Sequence, residues 1–342
     1  MKDQLLQRTW RVRMKYSPKE IDFSSEAWKR AEVGIWYGAW SVDDLGTAIR
    51  SGGSIEDHLN CVPAQQELGK EAQITKTTLD TITRFFGKQF FVNADNDVML
   101  ENDWVVVCSN DSNQKTIHLG RLKGEPKDDS NHELNKSPHD NAPKELWKFR
   151  EVIDRKSFPL SALPDFYRLI PQYGRQGNIF QFRGNYLKAV NILARCGTVT
   201  EVQNEFRTMD DNQRLDLMGP EVWEAMCLGY LIRMKNFVPT GVSAGGTLKD
   251  FDMAGCNWKD GVKIYAQCKK DQDPKEVEEG FYAAADDVKR VTPNAKIYYF
   301  PYGNCLTSPP ARVVDEIINL KSMQDWFRTE EGEKYLKLFW AC

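Results

Sequence analysis

Two periods of apolar spacing alternate along this chain, and their order divides it. "RTWRVRMKY" (8–16) alternates polar and apolar residues, the spacing of a half-buried strand, and "EVGIWYGAW" (32–40) is a short apolar run of strand type. Residues 64–86 read as helical, with Thr75 or Thr77 as the N-cap. "DWVVVCSN" (103–110) and "KTIHLGRLKG" (115–124) predict two strands joined through "DSNQ" as a hairpin. The polar stretch 125–145 has too few apolar residues for a core and reads as an exposed loop. Strand and turn patterns resume over 146–163, and "GRQGNIFQF" (174–182) predicts a last strand. A mostly β domain with a helical insertion is therefore expected to end near residue 183.

Beyond that point the period is helical through residue 209, then again in "PEVWEAMCLGYLIRMK" (220–235), where Pro220 suits a first helical turn. Strands follow around "TLKDFDMAG" (247–255) and "VKIYAQCKK" (262–270). A helix (274–291), a strand "AKIYYFPYG" (295–303) and a helical C-terminal region complete the order. A helix between two strands over 260–300 predicts a parallel pair joined by a crossover.

Composition narrows the class without changing this outline. With 342 residues, 41% hydrophobic and 28% charged, the chain has material for two globular domains. A net charge of −3 argues against a wholly basic nucleic-acid coat, while 46 Lys and Arg leave room for a local basic groove. No apolar run approaches the ~20 residues of a membrane span, and the first residues lack a signal-peptide core. Eight scattered cysteines without a CxxC pair do not suggest a disulfide framework. A cytoplasmic location without membrane association is expected. His58, His118, His132 and His139 lack zinc-finger spacing, and neither a P-loop nor a G-x-S-x-G elbow occurs.

The candidate chemistry lies in the second half. Glu224 sits among Trp223, Met226, Cys227 and Leu228, Asp252 precedes "MAG", and Gln267 and Lys269 share one face of a strand. Two carboxylates and an amide oxygen are donors of the kind Mg²⁺ takes, and an adjacent lysine suits a developing anion. An ordinary solvated strand accounts for the same spacing. Spacing alone favours this plainer reading.

The segment 215–305 resembles the catalytic core of the Mrr-like restriction endonucleases of the PD-(D/E)xK nuclease superfamily. The residues that carry the likeness are Glu224 after Trp223, Asp252 before a Gly-containing turn, and Gln267-Cys268-Lys269 at a strand end. The Gly-Asp-x-Gly run usual before the acid is missing, so Asp250 competes with Asp252. The resemblance implies an α/β domain with a central mixed sheet flanked by helices, over 184–342. It also implies Mg²⁺, or Mn²⁺ in its place, held by Asp252, Gln267 and Glu224, and catalysis by these residues with Lys269.

Residues 1–183 resemble the PUA-like or EVE-like β-barrels found ahead of such nucleases, on "DWVVVCSNDSNQKTIHLGRLKGEP", "FREVIDRKSFPLSAL" and "GRQGNIFQF". Such barrels often recognise nucleic acid, in some members through a flipped base. Trp36, Tyr37, Trp40 and Trp104 are then candidate stacking faces, or else barrel core, with Arg175 and Asn178 as further candidates. Trp36 and Tyr37, adjacent in a strand, are expected to face opposite sides. The resemblances together imply an endonuclease that restricts foreign or modified double-stranded DNA, with pairing of two chains left open. The alternative is a nucleic-acid-binding sensor that keeps the nuclease fold without cutting.

Overall fold

The computed structural model describes residues 8–16, 21–68, 73–87, 98–111, 114–136, 144–172, 179–217, 219–240, 251–270, 274–303 and 313–340. Chain contacts divide it into two α/β units, Met1–Met209 and Asp210–Cys342, each with a mixed sheet.

The first unit begins with β1 (Thr9–Val12), β2 (Lys15–Tyr16), β3 (Ile21–Asp22), α1 (Ser24–Lys29) and β4 (Glu32–Ile35). Four helices follow: α2 (Val42–Ser51), α3 (Ile55–Asn60), α4 (Pro63–Glu67) and α5 (Lys76–Phe86). Then come β5 (Trp104–Asp111), β6 (Gln114–Asp128), β7 (Lys148–Pro159), two 3₁₀ turns, β8 (Ile179–Gln181), α6 (Gly184–Arg195) and α7 (Val199–Thr208). Six strands lie in the order β4-β7-β6-β5-β1-β8, with β1 parallel to β5 and the other pairs antiparallel. Among the described residues no pairing joins β4 to β8, so the expected barrel is an open sheet. Val105, Val106 and Val107 of β5 are all fully buried, which explains an apolar run without alternation: the strand is covered on both faces.

Several sequence expectations change here. The helix expected over 64–86 is two helices, and Thr75, not Thr77, caps the second by accepting from Thr78 N. The polar stretch is not all exposed loop. β6 runs through its first residues, Leu134 is in the core, and buried Asn135 Oδ1 accepts from Trp147 N at 2.8 Å. The expected boundary at 183 falls inside the first unit because α6 and α7 are tied to it. Lys156 Nζ donates to Ala194 O at 2.5 Å, Tyr167 Oη to Ala189 O at 3.1 Å, and Gln203 Nε2 to Ala162 O at 2.8 Å.

The second unit comprises α8 (Asp211–Leu217), α9 (Pro220–Met234), β9 (Phe237–Pro239), β10 (Met253–Asn257), β11 (Lys263–Lys269), α10 (Pro274–Val291), β12 (Lys296–Pro301), β13 (Glu316–Ile317), α11 (Leu320–Phe327) and α12 (Glu330–Trp340). Its sheet runs β13-β12-β11-β10-β9, antiparallel from β9 to β11 and parallel from β11 to β13. The parallel pair β11–β12 and its crossover helix α10 appear as the apolar pattern predicts. Strand alternation then splits the core in two. Ile264, Ala266, Cys268, Tyr298 and Phe300 pack with Trp223, Met226, Cys227 and Trp326 of the helices on one face. Ile297 and Tyr299 pack with Phe281 and Ala285 of α10 on the other. Among the described residues no helix is long and apolar enough to cross a membrane.

Candidate active site

Three elements of the second unit bring the predicted acids together. Pro220 starts α9 at its first position, and buried Trp223 pins the helix to the sheet by donating from Nε1 to Phe300 O at 3.0 Å. Glu224, the next residue, is half-buried. Burial and then the nearby charges of Asp252 and Glu221 push its carboxyl up to about 7, against the pull of Lys269.

Asp252 leads into β10, where its N–H donates to Ala266 O at 3.0 Å and extends the β10–β11 ladder. Its Oδ2 accepts from Cys268 N at 2.7 Å and from Gln267 Nε2 at 2.7 Å. Burial raises this carboxyl above its ordinary range, while the Cys268 N–H and the Lys269 charge oppose the rise. Gln267 is 3% exposed, and its Oε1 is buried without a hydrogen-bond partner. Such an orphaned carbonyl costs roughly 1–3 kcal/mol. Lys269, two residues along β11, lies on the same strand face and its charge acts on both carboxyls. Cys227 and Cys268 are buried in the same core, and burial pushes both thiols upward.

Asp252, Gln267, Lys269 and Glu224 thus form one cluster. Asp250, Arg175 and Asn178 lie outside the described residues. Among the described residues no three His, Cys, Asp or Glu side chains gather to hold a metal. A cation here would need the amide oxygen of Gln267, and the orphaned Oε1 fits that need. Glu221, three residues before Glu224 on the same helix, was not among the expected residues, and its charge also acts on the Glu224 carboxyl. Its signal is the i, i+3 spacing of two acids in "PEVWE".

The aromatic candidates of the first unit are not gathered into an open cage. Trp36, Trp40 and Trp104 are buried, at 5%, 0% and 6% exposure. Trp36 donates from Nε1 to Leu134 O at 2.8 Å and lies 4.4 Å from the Trp147 ring. The Trp40 ring is covered by Lys148 Nζ at 4.0 Å and the Trp104 ring by Lys156 Nζ at 5.6 Å. Trp36 and Tyr37 do not alternate across a strand, because β4 ends at Ile35 and Tyr37 turns into the left-handed region with φ 65°. Tyr37 is partly buried against the same core.

Compared with known proteins, the chain matches no family model, no curated protein and no solved structure.

Proposed function

We propose that the second unit hydrolyses phosphodiester bonds in double-stranded DNA with the help of Mg²⁺ or Mn²⁺, in the manner of the PD-(D/E)xK endonucleases. The observation that carries this reading is the buried, unpartnered Oε1 of Gln267, on the side chain whose amide nitrogen holds Asp252, with the Asp252 and Glu224 carboxyls close enough to act on one another. The order α9-β9-β10-β11-α10-β12 supports it, since this order sets the acids of α9 and β10 beside the end of β11. When bound, the cation supplies Lewis-acid polarisation and lowers the pKa of its water. Asp252, Gln267 and Glu224 would hold it. Asp252 is preset by its two hydrogen bonds, which fix the carboxylate before any ligand arrives. Lys269 offers its ammonium to the negative charge that grows on the phosphoryl oxygens. The PUA-like or EVE-like resemblance gives the first unit the recognition role and the whole chain a part in defence against foreign or modified DNA. With Trp36 and Trp40 in the core, recognition falls to other surfaces of that unit.

The test is cleavage of plain, methylated, hydroxymethylated and glucosylated duplex DNA by the full chain with Mg²⁺ or Mn²⁺. Asp252→Ala and Lys269→Ala should each abolish cutting without an early melt. Cutting at the wild-type rate by either variant refutes the site. Duplex binding by a wild-type chain that cuts none of these substrates favours the inactive sensor instead.

A further inference from the structure

A cleft of about 210 Å³ opens in the first unit between β1, the start of α1 and the turn end of the β5–β6 hairpin. Its lining carries three cations, Arg11, Arg13 and Lys115, against one carboxylate, Asp22, in a chain whose net charge is −3. The cleft is therefore basic where the chain as a whole is not.

Its groups are held in place by bonds to the surrounding fold. Arg11 is 6% exposed and donates from Nη2 to Pro171 O at 2.5 Å, which anchors one edge of the guanidinium. Burial holds this guanidinium below its ordinary value, the like charge of Arg13 adds to that, and the Cys108 thiol opposes it. Burial also pushes the Cys108 thiol up to about 11, so it is neutral at pH 7 and adds no negative charge. Asp22 Oδ1 accepts from Ser24 N at 3.0 Å. The Ser109 hydroxyl is fixed through a buried chain: its Oγ meets His118 Nε2 at 2.8 Å, and His118 Nδ1 meets Ser157 Oγ at 2.9 Å. The imidazole also stacks on Trp28 at 5.0 Å.

We infer that this cleft binds the phosphate group of a nucleotide unit. Two guanidiniums line the cleft, and a guanidinium matches the geometry of phosphate oxygens as a single ammonium does not. Lys115 adds a further positive charge, and Thr116 adds a hydroxyl that can donate. The volume is below the ~300 Å³ of pockets for drug-sized ligands. It has room for about seven waters at ~30 Å³ each, enough for a phosphate with its sugar. The inference is independent of the proposed nuclease site.

The test is calorimetry on the full chain in EDTA, where no metal-dependent cutting intervenes. The probes are inorganic phosphate, deoxynucleoside 5′-monophosphates, the matching nucleosides and a short duplex. Monophosphates should bind and nucleosides should not. Arg13→Gln and Lys115→Gln should each weaken binding about tenfold with an unchanged melting temperature. Asp252→Ala should leave it unaltered. Competition between monophosphate and duplex assigns the phosphate to nucleic acid, and its absence assigns it to free nucleotide; both agree with the inference. Failure of every phosphate probe to bind, equal affinity for nucleoside and monophosphate, or unchanged affinity in both variants overturns it.

Discussion

Replacing Glu224 by Gln tests the electrostatics of the acid cluster without using cleavage as the readout. The Glu224 carboxyl is raised from an ordinary 4.5 to about 7, chiefly by burial and then by Asp252 and Glu221. At face value this shift corresponds to about 3 kcal/mol. Glu224 is only half-buried, and solvent screening reduces the figure to roughly 1–2 kcal/mol. The sign follows from proton counts. Between pH 4.5 and 7 the folded chain keeps a proton that the unfolded chain has released, so stability falls as pH rises through this window. Above pH 7 the whole penalty is present. Glutamine does not titrate, so in EDTA Glu224→Gln should match the wild type near pH 4 and exceed it by roughly 1–2 kcal/mol at pH 8. Mg²⁺ should narrow this gap at pH 8, because a cation that binds only the folded, ionised site stabilises it by mass action. Guanidinium denaturation at pH 4, 6 and 8, with EDTA or Mg²⁺, measures each quantity. A variant less stable than wild type at pH 8, or a gap of equal size at pH 4 and pH 8, would refute the reasoning.

Glu221→Gln removes one like charge from Glu224, so the pH midpoint of Mn²⁺ binding should move down; an upward move would contradict the assigned coupling. Trp40→Ala empties a fully buried site and uncovers Lys148, so the first unit should lose about 3–5 kcal/mol in chemical denaturation. An unchanged midpoint there would reopen Trp40 as a ligand-stacking residue.

Legibility in the sequence followed how local the governing forces were. The order of the second unit was readable because β11 and β12 are buried on both faces and α10 lies between them, so apolar runs and a crossover length carry the signal. Gln267 and Lys269 were readable because strand alternation puts residues two apart on one face. Helix α2 was overlooked, although its capping box is local. Ser41 accepts from Asp44 N, and the Asp44 carboxylate accepts in return from Ser41 N at 2.7 Å. The "IWYGAW" run just before it has strand-type spacing, which masks the helix start. Leu134 and Asn135 were hidden for another reason. They are isolated inward residues in a polar stretch, and only the tertiary partners Trp36 and Trp147 reveal them. The first unit runs on to Met209, past the change of period near 183, since a change of period marks a change of element and not a change of core.

The choice of glutamine at position 267 follows from the same balance of charges. The end that meets Asp252 must be the amide nitrogen, because a carboxylate accepts and cannot donate; Oε1 is thereby turned away from Asp252. A glutamate in its place would put a third carboxyl beside Asp252 and Glu224, two groups that burial already raises. It would also give up the 2.7 Å bond that orients Asp252. Glutamine orients Asp252 through its amide nitrogen and adds no charge to the acid pair, and on the proposed reading it would still offer an oxygen to a cation. If the site holds Mg²⁺ as proposed, the donor set would carry one negative charge fewer than with glutamate, hence a weaker attraction for the cation.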